Sequence, residues 1–150
     1  MDVPFEISQQ RIASRGISKD RIEKEDPSFF NEIRQAYIEF ASLDPLITTI
    51  DASKTFENVE LDIVNYVRDH IINPSDAISL VTELSDLLYP ESIDADRKNY
   101  FTENLLEGFP SYYWTDAWSE YLSSNDDSVV KSRLEALFTA LINATEFQLT

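Results

Sequence analysis

From residue 26 onward, apolar residues recur three and four positions apart, the period of a helix with one buried face. "EDPSFFNEIRQAYIEFASLD" opens with Asp26 as a cap and Pro27 at the first helical position, and Phe30, Ile33, Tyr37 and Phe40 then form a stripe. Pro45 stops this helix soon after Leu43. "LITTI", Leu46 to Ile50, is short and β-branched; with no convincing partner strand in the sequence, it reads as an extended connector. A second helix carries Val59, Ile63, Val67 and Ile71 on one face, with Val64 beside it. A third starts at an Asn73 cap with Pro74 in its first turn and sets Ala77, Leu80, Val81, Leu84, Leu87 and Leu88 in line before Pro90. The short link between the second and third predicts an antiparallel hairpin.

Three further helices follow. One begins at a Ser92 cap with early acids Asp94 and Asp96, and stops at Gly108, a candidate left-handed terminator. The next, "SYYWTDAWSEYL", is capped by Ser111 after Pro110. The last runs from about Asp127 through Val130, Leu134, Leu137, Phe138, Leu141 and Ile142, with "TEFQLT" forming a final turn. Residues 1–25 differ: Ile7, Ile12, Ile17 and Ile22 recur every five positions, which suits neither helix nor strand. The pattern predicts an all-α fold, a compact bundle of about six helices forming an acidic helical domain over 26–150. The irregular arm of 1–25 is a candidate severed connection to a missing region.

Composition supports the helical reading. Only two of the 150 residues are glycine, Gly16 and Gly108, which disfavours two-residue hairpins and removes any glycine-rich phosphate loop from this sequence. The net charge is −16 and unevenly spread. Residues 1–25 balance five bases (Arg11, Arg15, Lys19, Arg21, Lys24) against five acids, so the remainder carries the whole excess. A body this acidic repels phosphate backbones and anionic lipid, which argues against nucleic-acid binding and membrane association. The absence of cysteine excludes disulfides and thiolate metal sites. No apolar run reaches the ~20 residues of a membrane span, and "MDVPFEIS" is no signal peptide.

Candidate chemistry is sparse. The single histidine, His70, is expected to meet the last carbonyls of its helix. With 28 acids, some carboxylate pair always falls at a catalytic spacing, so pairing carries little information. Asp94 with Asp96, and Asn125 to Asp127, lack the alternating acids, glycine and terminal glutamate of a calcium loop. No catalytic, cofactor-binding or metal-ligating residue is expected, and no cofactor. The aromatic stretch is the exception to this blandness. At helical spacing Trp114, Trp118 and Tyr121 form one line, with Asp116, Ser119 and Glu120 away from it. The expected core is therefore Trp114, Trp118 and Tyr121 with Leu80, Leu84, Leu87, Leu134, Leu137, Phe138 and Leu141. Tyr112 and Tyr113, at the helix start, remain as a candidate ligand or partner surface.

"LLYP" (Leu87 to Pro90), "YWTDAW" (Tyr113 to Trp118) and "EFQL" (Glu146 to Leu149) resemble, in that order, the C-terminal region of a bacterial family catalogued as domain of unknown function 1800, in its bacteroidete-type members. The resemblance spans most of 26–150. It implies the C-terminal part of a larger exported protein, an extracytoplasmic location, and as partner the rest of a parent protein or another exported protein. It brings no established reaction. The leading expectation is thus a non-catalytic helical module with a packing or protein-interaction role. The alternatives are a carboxylate-dependent hydrolase fragment whose cleft is completed elsewhere, and a carbohydrate-binding module using Tyr112, Tyr113, Trp114 and Trp118.

Overall fold

The computed structural model describes residues 1–16, 18, 20–45 and 47–148, the side chain of Gln148 excepted. Ile17, Lys19, Leu46 and Leu149, named above, lie outside the described residues. The fold is all-α. Among the described residues there are eight α-helices, one short 3₁₀ turn, and a single isolated parallel bridge in place of any strand. These residues form two compact units, Met1–Val59 and Glu60–Thr150.

In the first unit, α1 (Phe5–Ser14) follows Pro4, and α2 (Pro27–Leu43) follows Asp26, whose carboxylate accepts from the Ser28 N–H at 2.8 Å. The extended arm expected over 1–25 therefore contains a helix. The five-residue spacing of the isoleucines concealed it, because the positions facing the neighbouring helix are Phe5, Ser8 and Ile12, at i, i+3 and i+7. Phe5 meets Phe30 of α2 at 5.4 Å between ring centres. Neither α1 nor α2 contains a buried residue. Beyond α2, residues 47–50 belong to no helix or strand, and Asp51 pairs in parallel with Asp2.

The second unit holds the packed core. It comprises most of α3 (Phe56–His70), then α4 (Ala77–Leu88), α5 (Ala95–Leu106), α6 (Ser111–Ser124), α7 (Ser128–Asn143) and the single turn α8 (Thr145–Gln148). α5 lies between α4 and α7, and α6 contacts all three. Leu80, Leu84, Trp114, Trp118, Tyr121, Leu134, Leu137 and Leu141 are buried together with Phe101, Leu105 and Val130. Phe138 is partly buried against this cluster. Leu87 is 48% exposed. Leu87 shares a side of α4 with the buried Leu80 two turns earlier but sits in the last turn of the helix, where it is left to solvent.

The caps sit differently from the expectation. Asp76, not Asn73, caps α4 by accepting from the Ser79 N–H at 2.8 Å, and Asp94, not Ser92, caps α5 by accepting from Arg97 N–H at 2.8 Å. Pro110 occupies the capping position of α6, with Ser111 already helical. α5 ends with both Glu107 (φ 49°) and Gly108 (φ 82°) in the left-handed region, so the predicted stop at Gly108 begins one residue early.

Candidate functional site

The aromatic knot of α6 is structural. Trp114 and Trp118 stand 5.5 Å apart, Trp118 and Tyr121 likewise, and the Trp114 Nε1–H donates to Pro74 O at 2.8 Å. The Tyr121 hydroxyl accepts from Arg68 at 3.2 Å, so the polar tips of Trp114 and Tyr121 are both hydrogen-bonded. Tyr113 stacks on Phe109 at 4.6 Å, and the Arg133 guanidinium lies over both rings at 5.3 and 5.6 Å. Arg133 is 9% exposed and its Nη1 stands 2.5 Å from a Glu107 carboxylate oxygen, at an angle too poor for an aligned hydrogen bond. Tyr113 is thus engaged within the fold, while Tyr112 is 64% exposed. A sugar platform that includes Trp114 and Trp118 is excluded by their burial.

Carboxylates do not gather into an acid–base site. The carboxyl groups of Asp2, Asp26, Asp51, Asp69, Asp76, Asp126 and Glu146 are displaced downward, by hydrogen bonds that favour the charged form. Glu146 is held down chiefly by Arg97, whose Nε and Nη2 donate to its two oxygens at 2.7 and 2.8 Å. A general acid needs the opposite shift. The open groove of about 800 Å³ beside α5 and α7 is lined by Glu107 and Glu135 together with Arg97. His70 Nδ1 lies 3.1 Å from Tyr66 O, its ring stacked on Tyr66, as expected of a helix-end histidine. Among the described residues no group of three or more His, Asp or Glu is placed to hold a metal ion, and no helix is long and apolar enough to cross a membrane.

Exposed cations are concentrated in the first unit, whereas Arg68 is the exposed one among the described Lys and Arg residues of the second. The first unit has seven bases against eleven acids, and Glu60–Thr150 has five against seventeen. Arg11, Arg15, Arg21 and Lys24 are all exposed. They sit on an ordered frame. The Asp20 carboxylate accepts from Glu23 N–H at 2.7 Å, and the Glu23 carboxylate accepts from Asp20 N–H at 3.0 Å, a reciprocal capping box around the turn Ile22–Lys24. Glu23 also pairs with Arg15, which ties the end of α1 to that turn. Deeper in this unit, Arg34 of α2 donates through Nε and Nη2 to both Asp2 oxygens at 2.5 and 2.6 Å, and this pair holds the Asp2 carboxyl below its ordinary range. Asp2 is thereby fixed beside Asp51, whose carboxylate accepts from the Ser53 N–H and hydroxyl. Counting the arm as electrically neutral hid this arrangement, since its charges cancel in sum but not in position. The capping box, Asp20 and Glu23 three residues apart, was the signal available in the sequence.

Curated proteins to which this chain is similar include kinases. Specifically, they are thymidylate kinases. It is 35% identical over 72 residues to the thymidylate kinase of Chromohalobacter salexigens, a stretch covering 47% of this chain and 34% of that protein. It is 44% identical over 63 residues to that of Vibrio parahaemolyticus, covering 42% and 30%. It is 39% identical over 69 residues to that of Alcanivorax borkumensis, covering 45% and 33%. The chain spans about a third of the length of these relatives. No family model matches the chain, and no solved structure matches it.

These relatives correct the sequence-based reading. The resemblance to the domain of unknown function 1800 rested on short structural motifs and has no family-model match behind it. The non-catalytic exported module, the hydrolase fragment and the carbohydrate-binding module give way to a likeness to catalytic nucleotide kinases. The extracytoplasmic expectation depended on that resemblance alone and falls with it.

Proposed function

We propose that this chain is part of a kinase that phosphorylates thymidylate or a closely similar nucleoside monophosphate, with the first unit placing cations against nucleotide phosphates. The observation that carries the reading is the 35–44% identity to thymidylate kinases over 63–72 residues. Chemistry supports assigning the role to the first unit. Phosphoryl transfer asks a protein for positioning and charge neutralisation more than for covalent chemistry, and arginine suits it because its planar fork binds two phosphate oxygens at once. Arg11 in the last turn of α1, Arg15 just after that helix and Arg21 just before the turn stiffened by the Asp20–Glu23 box provide such forks at the surface. The second unit, with its seventeen acids, would repel the same phosphates. Since these 150 residues contain only two glycines, a glycine-rich phosphate loop would come from polypeptide outside them.

The test is a hybrid enzyme. The matched stretch of this chain replaces its aligned counterpart in the Chromohalobacter salexigens kinase, and thymidylate phosphorylation by a nucleoside triphosphate is measured. The expected result is a rate within about tenfold of the parent, about 1.4 kcal/mol in the barrier. A hybrid that folds, by circular dichroism, yet stays at background rate overturns the proposal.

A further inference from the structure

Within the second unit, α5 and α7 run antiparallel. Arg97, near the start of α5, pairs with Glu146 just past the end of α7, and Glu107, at the end of α5, meets Arg133 in the second turn of α7. Each helix buries one side, α5 through Phe101 and Leu105 and α7 through Leu134, Leu137 and Leu141. Their other sides flank the open groove of about 800 Å³. From Arg97 to Glu107 the helix rises about 15 Å, at 1.5 Å per residue, and the groove follows it over that length.

The middle of the groove differs from its ends. Along α7 it is lined at Glu135, Ala136, Thr139, Ala140 and Asn143, three and four positions apart, so one face of that helix meets it. Ala136 and Ala140, a turn apart, end at the β-carbon and leave the α7 backbone approachable, while Tyr100 on the α5 wall is 47% exposed. Asn104 and Asn143 donate their amide N–H groups back to Tyr100 O and Thr139 O of their own helices, at 2.8 and 2.9 Å. At one end the Arg97 charge is already met by both oxygens of Glu146. At the other, Glu107 and Glu135 hold exposed carboxylates on the two walls, and Arg133, which pairs with Glu107, is itself buried. The groove thus has the length of a short helix, room for a backbone at its middle, and uncovered negative charge at one end.

We infer that this groove docks a short basic helix of a partner protein, one that sets small side chains against Ala136 and Ala140 and lysine or arginine against Glu107 and Glu135. A helix laid along two others packs its ridges into the groove between them, and small side chains at the contact let the axes approach. Charge selects the occupant. An acidic segment would meet Glu107, Glu135 and the field of a unit with five bases against seventeen acids, whereas a basic one is steered in by the same field. Neither the groove nor its charge rests on the kinase reading.

The test is fluorescence anisotropy of the full chain with two labelled alanine-rich peptides of about twelve residues, slightly longer than the groove. One carries lysine at every fourth position and the other glutamate. The lysine peptide should bind saturably at 1:1, gain helicity by circular dichroism, and bind at least about tenfold more tightly than the glutamate peptide. Ala136→Gln adds bulk without charge and should weaken binding by about tenfold or more. Glu135→Gln should weaken it by about fivefold, while Glu120→Gln, the same charge change on α6, should leave it within about twofold. Should Ala136→Gln fail to fold, by its melting temperature, the comparison of Glu135→Gln with Glu120→Gln decides alone. Absence of saturable binding, equal affinity for the glutamate peptide, or equal weakening by Glu135→Gln and Glu120→Gln overturns the inference. So does a chain that self-associates through this groove and becomes monomeric with Ala136→Gln.

Discussion

α2 and α4 look alike in sequence and end differently in the structure. Each begins at an aspartate cap, each carries an apolar stripe, and each is followed by proline within a few residues. α4 buries Ala77, Leu80, Val81, Leu84 and Ser85, while α2 buries nothing. The difference lies in what surrounds them. α4 is packed by α5 and α6 within a unit that has assembled its own core. α2 has α1 for a neighbour and a face left bare. An amphipathic pattern states that a helix has a partner; it does not state that the partner lies in the same 150 residues.

The contrast should break hardest in the second unit. Trp118→Ala removes a fully buried ring and should cost about 3–5 kcal/mol, whereas Phe40→Ala in α2 should change chain stability by less than about 0.5 kcal/mol. Urea titrations of both variants check the pair, and a comparable loss from Phe40→Ala would erase the distinction. A smaller effect separates the units by pH. Burial pushes the Tyr89 hydroxyl up to about 12, with the Glu146 charge adding to the shift, while its O–H donates to Leu141 O at 2.9 Å. The folded state holds this proton more tightly than the unfolded state does, so the stability it contributes is complete below pH ~10. That stability is lost as pH rises through 12. Tyr89→Phe should cost about 1 kcal/mol at neutral pH and flatten the alkaline limb of the melting curve.

The acid limb runs the other way. Arg97 holds the Glu146 carboxyl low in the second unit, and Arg34 holds Asp2 low in the first. Each pair contributes stability above the ordinary carboxylate range and loses it as pH falls through the depressed pKa. Both pairs are partly exposed, so each contribution is at most about 1 kcal/mol. Glu146→Gln should flatten the acid dependence of the main unfolding transition. Asp2→Asn should leave that transition alone and speed hydrogen exchange at Ala52, whose N–H bonds to Asp2 O.

What the sequence made legible was local. Asp26–Pro27, the α6 aromatic line and the α7 stripe depend on residues three or four apart, and the structure has them in place except for Ile142, which is exposed. Caps slipped by two or three residues, from Asn73 to Asp76 and from Ser92 to Asp94, because each stretch offers more than one competent side chain. α1 was missed because its inward positions include Ser8, which breaks the apolar period. The Asp2–Asp51 pair was illegible for a different reason: one bridge across nearly fifty residues leaves no periodic trace. The cations of the first unit were visible throughout but were summed with their acids, and a sum discards the geometry that binding uses.

The central claim is that the exposed arginines of the first unit serve phosphoryl transfer. Its most direct test is the hybrid kinase carrying Arg15→Ala or Arg21→Ala, assayed for kcat on thymidylate alongside its melting temperature. The account predicts that at least one substitution lowers kcat on the order of 10²-fold, while the melting temperature stays within about 2 °C, as for a surface change. A hybrid whose kcat is unchanged by both would contradict it.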